Sequence, residues 1–170
     1  MLPPSDAIVL TTVAVATSAA AVIDLRTRRI PNALSASLAV VGFGIAAAGL
    51  GRVGIGAALL GCALGLAFML PGHIFGATGA GDVKLFAAAG ALLGPAATVQ
   101  AFLYTAIIGG IIAVVVSIRR RRVGVTIGAT ANLIAGRAGA VAAIEGRAAD
   151  NRFAYAPAIA LGVMLAAMSW

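Results

Sequence analysis

The 170-residue chain holds five carboxylates, and two of them, Asp24 and Asp82, stand where a charge is costly. Asp24 closes the uncharged run 7–23, and Asp82 stands just before the uncharged run 85–118. A carboxylate at the edge of an apolar segment must be paired or wetted, so both residues are functional candidates. If the fold brings them together, they cannot both ionise easily and tend to hold one proton between them. Such a pair can pass protons to and from a reacting group or along a relay. Asp6 lies near the N-terminus, and Glu145 and Asp150 fall in a basic stretch where water can solvate them. His73 and Cys62 are each the sole residue of their type and lie in different settings, which leaves no Ser–His or Cys–His arrangement. A single cysteine also excludes an internal disulfide or a Cys-rich zinc site, and Cys62 reads as a small packing residue.

The surroundings of the two aspartates differ. Asp82 lies in GATGAGDVKL, with Gly79 and Gly81 just before it and Lys84 just after. Glycines leave no side chain in the way, so an extended strand can approach the carboxylate closely. A phosphate-binding loop fails on register, because a Walker sequence starting at Gly76 would need lysine where Asp82 stands. Asp24 lies in DLRTRRIPN, where Pro31 and Asn32 mark the boundary between a loop and the next helix. Arg26, Arg28 and Arg29 suit anionic headgroups and stand close enough in sequence to help keep Asp24 ionised. The plainer account of either aspartate is a helix cap, or a partner for Arg26 or Lys84.

The elements that carry these residues follow from composition. The chain is 62% hydrophobic and only 10% charged, with a mean hydropathy of +1.09. So few charges cannot cover a water-exposed surface, which makes lipid the solvent for most of the chain. Its 22 glycines suit helices that pack backbone to backbone in a bilayer. Uncharged runs predict six helical spans near 7–23, 33–50, 54–71, 83–93, 96–118 and 153–169, with Gly94-Pro95 breaking the long run 85–118 in two.

With the N-terminus outside, the inner loops carry eleven of the 12 basic residues, and only Arg52 falls on the other side. The formal charge of +7 is thereby explained without a nucleic-acid partner. The same direction puts Asp24 and Asp82 at one, cytoplasmic, membrane boundary. The first run has no basic residue before it and three arginines after it, the polarity of a retained helix and not of a cleaved leader. The 119–152 stretch forms a cytoplasmic loop, and its apolar part 123–136 is short enough to lie along the interface. The expectation is an all-α integral membrane protein, a six-transmembrane-helix bundle forming one membrane-embedded domain over 1–170.

Two blocks together resemble the type IV prepilin peptidase family of GxGD aspartyl membrane proteases. The first is D-x-R-x-x-x-I-P-N, present as Asp24, Arg26, Ile30, Pro31 and Asn32. The second is G-x-G-D-V-K-L, present as Gly79, Gly81, Asp82, Val83, Lys84 and Leu85. A weaker third match is Tyr155-Ala156-Pro157, where Ala154 stands in place of the usual proline. Only six residues precede the first run and Cys62 is alone, so the likeness is to the short, peptidase-only form serving tight-adherence (Flp-type) pili. No N-methyltransferase activity is expected.

The resemblance implies that Asp24 and Asp82 are the catalytic pair, one as base on a water and the other as acid to the scissile amide. It implies a prepilin or pseudopilin substrate, cut at the cytoplasmic face of the inner membrane between its leader and its hydrophobic helix, with no cofactor and no metal. Gly79 and Gly81 would admit the substrate backbone, and Lys84 would steady a carboxylate or meet an acidic substrate residue, unless it is a snorkelling lipid anchor. His73 would be polar lining or a plain interfacial residue. Three other accounts stay open: a small proton-coupled transporter, a metal site using Asp24, Asp82 and His73, and a purely structural subunit of a pilus machine.

Overall fold

The computed structural model describes residues 4–76, 78–119 and 155–169. All the regular structure among them is helical: α1 (Pro4–Thr27), α2 (Asn32–Ala47), α3 (Ile55–Ile74), α4 (Ala80–Arg119) and α5 (Ala156–Met168). In lipid every backbone N–H and C=O needs a partner within its own segment, which is why apolar runs of this length become helices. Three helical stretches are long and apolar enough to cross a membrane: Ser5–Thr27, Ile55–Ile74 and Ala80–Val116. The chain is a multi-pass membrane protein on that ground.

The helix boundaries refine the expected spans. α2 has 16 residues and stops at Ala47, because Gly49 turns the chain at φ 65°. α5 has 13 residues, with proline in its first turn. The expected break at Gly94-Pro95 is present: Gly94 takes φ 73° and ψ 177°, a conformation open to glycine, and Pro95 brings no N–H to continue the ladder. Thr98 Oγ1 donates to the Gly94 carbonyl at 2.6 Å, so the kink keeps a bonded acceptor. The interfacial segment expected over 123–136, with Glu145 and Asp150, lies outside the described residues.

The first half of α4 is the central rod. Every residue from 85 to 94 is buried, including Leu85, Phe86 and Leu92, while α2, α3 and α5 pack round it. Glycine permits the closest of these approaches. A Cβ on Gly61 of α3 would lie 2.9 Å from the carbonyl carbon of Gly90, so the two backbones touch directly. α1 packs mainly on α5 and meets α4 only sparingly. On the outside, Leu103, Ile107, Ile111, Val114 and Ile118 form an exposed apolar stripe down the second half of α4. A stripe of that length facing outward suits a helix that spans lipid.

The two ends of the bundle are distinct. At one end Arg52, in the α2–α3 loop, is ion-paired with the buried Asp6 of α1. A Cβ on Gly94 would meet Val53 at this end, and Ser169 Oγ bonds Gln100 Oε1 at 3.2 Å. At the other end lie Asp24, the α1–α2 turn, the α3–α4 loop, Asp82 and the start of α5. Asp6 and Asp24 are 18 residues apart on one helix, about 27 Å along its axis, which is close to the thickness of a hydrocarbon core.

Candidate active site

The site is assembled from four segments at one end of the bundle. α1 delivers Asp24 near its C-terminus and then stops, with Arg28 at φ 52° donating its N–H to the Asp24 carbonyl at 2.8 Å. This left-handed residue turns the chain as a C-terminal helix cap does. Pro31, at φ −61° and ψ 133°, then opens α2 at the expected boundary. The second block begins where α3 ends. His73 Nδ1 lies 3.1 Å from the Thr78 carbonyl, and Thr78 N–H bonds the Gly72 carbonyl, so the α3–α4 loop is tied to its own stem. α4 starts at Ala80, which places Asp82 in its first turn, where the helix dipole favours a carboxylate.

Both aspartates are buried, Asp24 at 6% and Asp82 at 7% exposure. Each is held by a backbone N–H. Asp24 Oδ2 accepts from Ala156 N–H at 3.2 Å, so the carboxylate of α1 caps the first turn of α5. Asp82 Oδ2 accepts from Gly79 N–H at 2.9 Å, while the Gly79 carbonyl accepts from the N–H groups of Asp82 and Val83. This reciprocal pattern is a helix cap, so the plain account of Asp82 holds for one of its oxygens. The other oxygen, Oδ1, is buried and has no hydrogen-bond partner among the described residues. A helix cap needs one oxygen and gives no reason to bury the second, which loses its water at a cost in free energy.

The two carboxylates, far apart in sequence, lie within electrostatic reach of each other. Arg28 lies within reach of Asp24, and Asp82 within reach of Tyr155. The Tyr155 ring fills the space above Gly109, where a Cβ would come within 2.7 Å of it. Arg26, Arg28 and Arg29 are exposed around the same rim. The arrangement therefore sets two buried acids near each other at an end of the bundle whose edge is basic.

Of the other residues singled out in the sequence, Gly79 is exposed beside Asp82, and its N–H reaches the carboxylate because no side chain intervenes. Gly81 is packed on Ile30: a Cβ there would lie 2.9 Å from Ile30 Cβ. Lys84 Nζ donates to Asn32 Oδ1 at 3.0 Å, and its described partner is thus an amide and not a carboxylate. His73 is exposed and bonded to its own loop, and among the described residues no three His, Cys, Asp or Glu side chains gather closely enough to hold a metal ion. Cys62 is half-buried on α3 and packs beside Ala58 and Ala91. Sequence reasoning missed the Ala156 N–H, the Ile30–Gly81 contact and the side-chain role of Asn32. The one available signal was Asn32 itself, a polar amide at the same membrane boundary as Lys84.

The model of the type IV leader peptidase family matches residues 11–114, a stretch that contains both aspartates. No curated protein and no solved structure matches the chain.

Proposed function

The chain belongs to the type IV leader peptidase family, and from that premise we propose that it is an aspartic-type endopeptidase whose working pair is Asp24 and Asp82. The family makes it a prepilin leader peptidase in general terms; the pair, the mechanism and the membrane face are our reading. The observation that carries it is the burial of two carboxylates from different helices at one end of the bundle, within electrostatic reach. Sharing one proton, the pair activates a water with its ionised member and protonates the leaving amine with the other. No covalent intermediate is needed. The exposed backbone at Gly79 beside Asp82 gives a substrate strand a place to lie, and the exposed arginines at the rim support a cytoplasmic orientation for this end. With six crossings, counting the two halves of α4 separately, the N-terminus is outside and a prepilin leader meets the site from the cytoplasm. No observation favours the transporter account.

The test is leader cleavage of a co-expressed prepilin-like substrate by the parent, Asp24→Asn and Asp82→Asn proteins. Asparagine keeps an oxygen that can accept from Ala156 N–H or Gly79 N–H, so each variant preserves the anchoring bond and removes only the proton chemistry. Cleavage falls by about a hundred- to ten-thousandfold in each. Processing that survives both substitutions overturns the reading.

A further inference from the structure

The two aspartates belong to helices that scarcely touch. α1 leans on α5, and α4 is packed by α2, α3 and α5, so no broad α1–α4 interface sets the distance between the carboxylates. Their relative placement must come through intermediaries. One is α5, which packs broadly on both α1 and α4 and whose Ala156 N–H holds Asp24. The other is the α1–α2 turn with the first residue of α2, which meet the start of α4 at Gly81 and Lys84, where α2 goes on to pack along α4.

In the first contact, Gly81 lies flush on Ile30, with a hypothetical Cβ 2.9 Å from Ile30 Cβ and 3.4 Å from the Ile30 carbonyl oxygen. In the second, Lys84 Nζ donates to Asn32 Oδ1 at 3.0 Å. Gly81 and Lys84 bracket Asp82 on α4, and Ile30 and Asn32 bracket Pro31, where the turn passes into α2. The turn is stiff, because proline restricts its own φ and Arg28 is held left-handed with its N–H bonded to the Asp24 carbonyl. A stiff segment gripped on both sides of its proline transmits position to Asp24, four residues before Arg28. The N-cap of α2 is Pro31, which offers no capping side chain, and the Asn32 oxygen in the first turn takes the Lys84 ammonium.

We propose that Asn32 and Lys84, above the Ile30–Gly81 contact, form a latch that sets the spacing of the Asp24–Asp82 pair. They are positioning residues, and Lys84 acts on the site through Asn32 and not by meeting the substrate. The inference rests on the reading of the two aspartates as the working pair. A donor that carries charge makes the stronger kind of hydrogen bond, and this one lies exposed at the rim of the bundle.

The experiment measures kcat and KM for leader cleavage by the Asn32→Ala, Lys84→Met and doubly substituted proteins. Methionine keeps an apolar stem of similar length, so packing along the helix is retained. Each single variant lowers kcat about tenfold with KM unchanged, as a slight misplacement of reacting groups does. The double variant is no worse than either single one, because both break the same bond. Asn32→Asp, which keeps the acceptor oxygen, recovers activity over Asn32→Ala. Hydrogen exchange of the amides around 28–34, measured in the Asp82→Asn protein, speeds up when Lys84→Met is added, and this readout needs no catalysis. Unchanged exchange overturns the latch. So does a rise in KM alone, or losses that multiply in the double variant, since each would put Lys84 in separate contact with substrate or lipid. Failure of the underlying reading shows elsewhere, as cleavage surviving in the Asp24→Asn and Asp82→Asn proteins.

Discussion

Replacing Gly81 with alanine separates two accounts of that glycine. If it only clears a path for substrate, the added methyl group stands in the substrate's way. If it seats the α1–α2 turn, the methyl group pushes on Ile30. Carbon atoms in contact prefer about 3.5–4.0 Å, and the Cβ of an alanine here would start 2.9 Å from Ile30 Cβ and 3.6 Å from Ile30 Cα. The turn must therefore retreat by about 0.6–1.1 Å, or α4 must yield by as much. Asp82 is the next residue on one side of that contact, and Asp24 is held through the turn on the other. A displacement near 1 Å at reacting groups costs about a hundredfold in rate. The overpacking itself costs about 1–3 kcal/mol of stability. The assay is steady-state cleavage of a prepilin-like substrate in micelles, with kcat and KM resolved. Gly81→Ala lowers kcat about a hundredfold with little change in KM. Adding Ile30→Gly, which transposes the glycine across the contact, recovers part of the loss. A Gly81→Ala enzyme with parental kcat and a raised KM would refute the seating argument, as would a double variant no better than the single one.

Two further predictions concern what holds the site's scaffold together. Gly61→Ala places a Cβ 2.9 Å from the Gly90 carbonyl carbon and 3.0 Å from that of Gly94, prising α3 from the central rod. It lowers stability by about 1–3 kcal/mol, measured by denaturant titration in micelles, and parental stability would show that the two backbones do not meet there. Arg52→Met leaves Asp6, 7% exposed, without its ion-pair partner and costs about 1–3 kcal/mol in the same titration. Adding Asp6→Asn returns part of that loss, because the stranded charge is then gone; a double variant as unstable as Arg52→Met argues against the pairing.

Some of this architecture was legible in one dimension. Apolar runs bounded by charge read directly as helices, because lipid leaves the backbone no other way to satisfy itself. Gly94-Pro95 read as a break for a local reason, a missing N–H beside a residue free to take positive φ, and Gly94 at φ 73° is that break. The placement of Asp24 and Asp82 at one end followed from counting crossings between them, and the family blocks around them carried the membership that the 11–114 match establishes.

What the sequence alone could not determine is what each of these residues touches. The helices are apolar round most of their circumference, so no periodic stripe marks the inward face, and the rotation of each helix cannot be read from hydropathy. Packing decides it, through the few places where glycine lets backbones meet, such as Gly61 on Gly90 and Gly81 on Ile30. Only with those rotations set does Asp24 reach the Ala156 N–H, Lys84 reach Asn32, and Asp6 find Arg52. Each of these contacts joins segments dozens of residues apart, and each depends on angles about helix axes that no local pattern encodes.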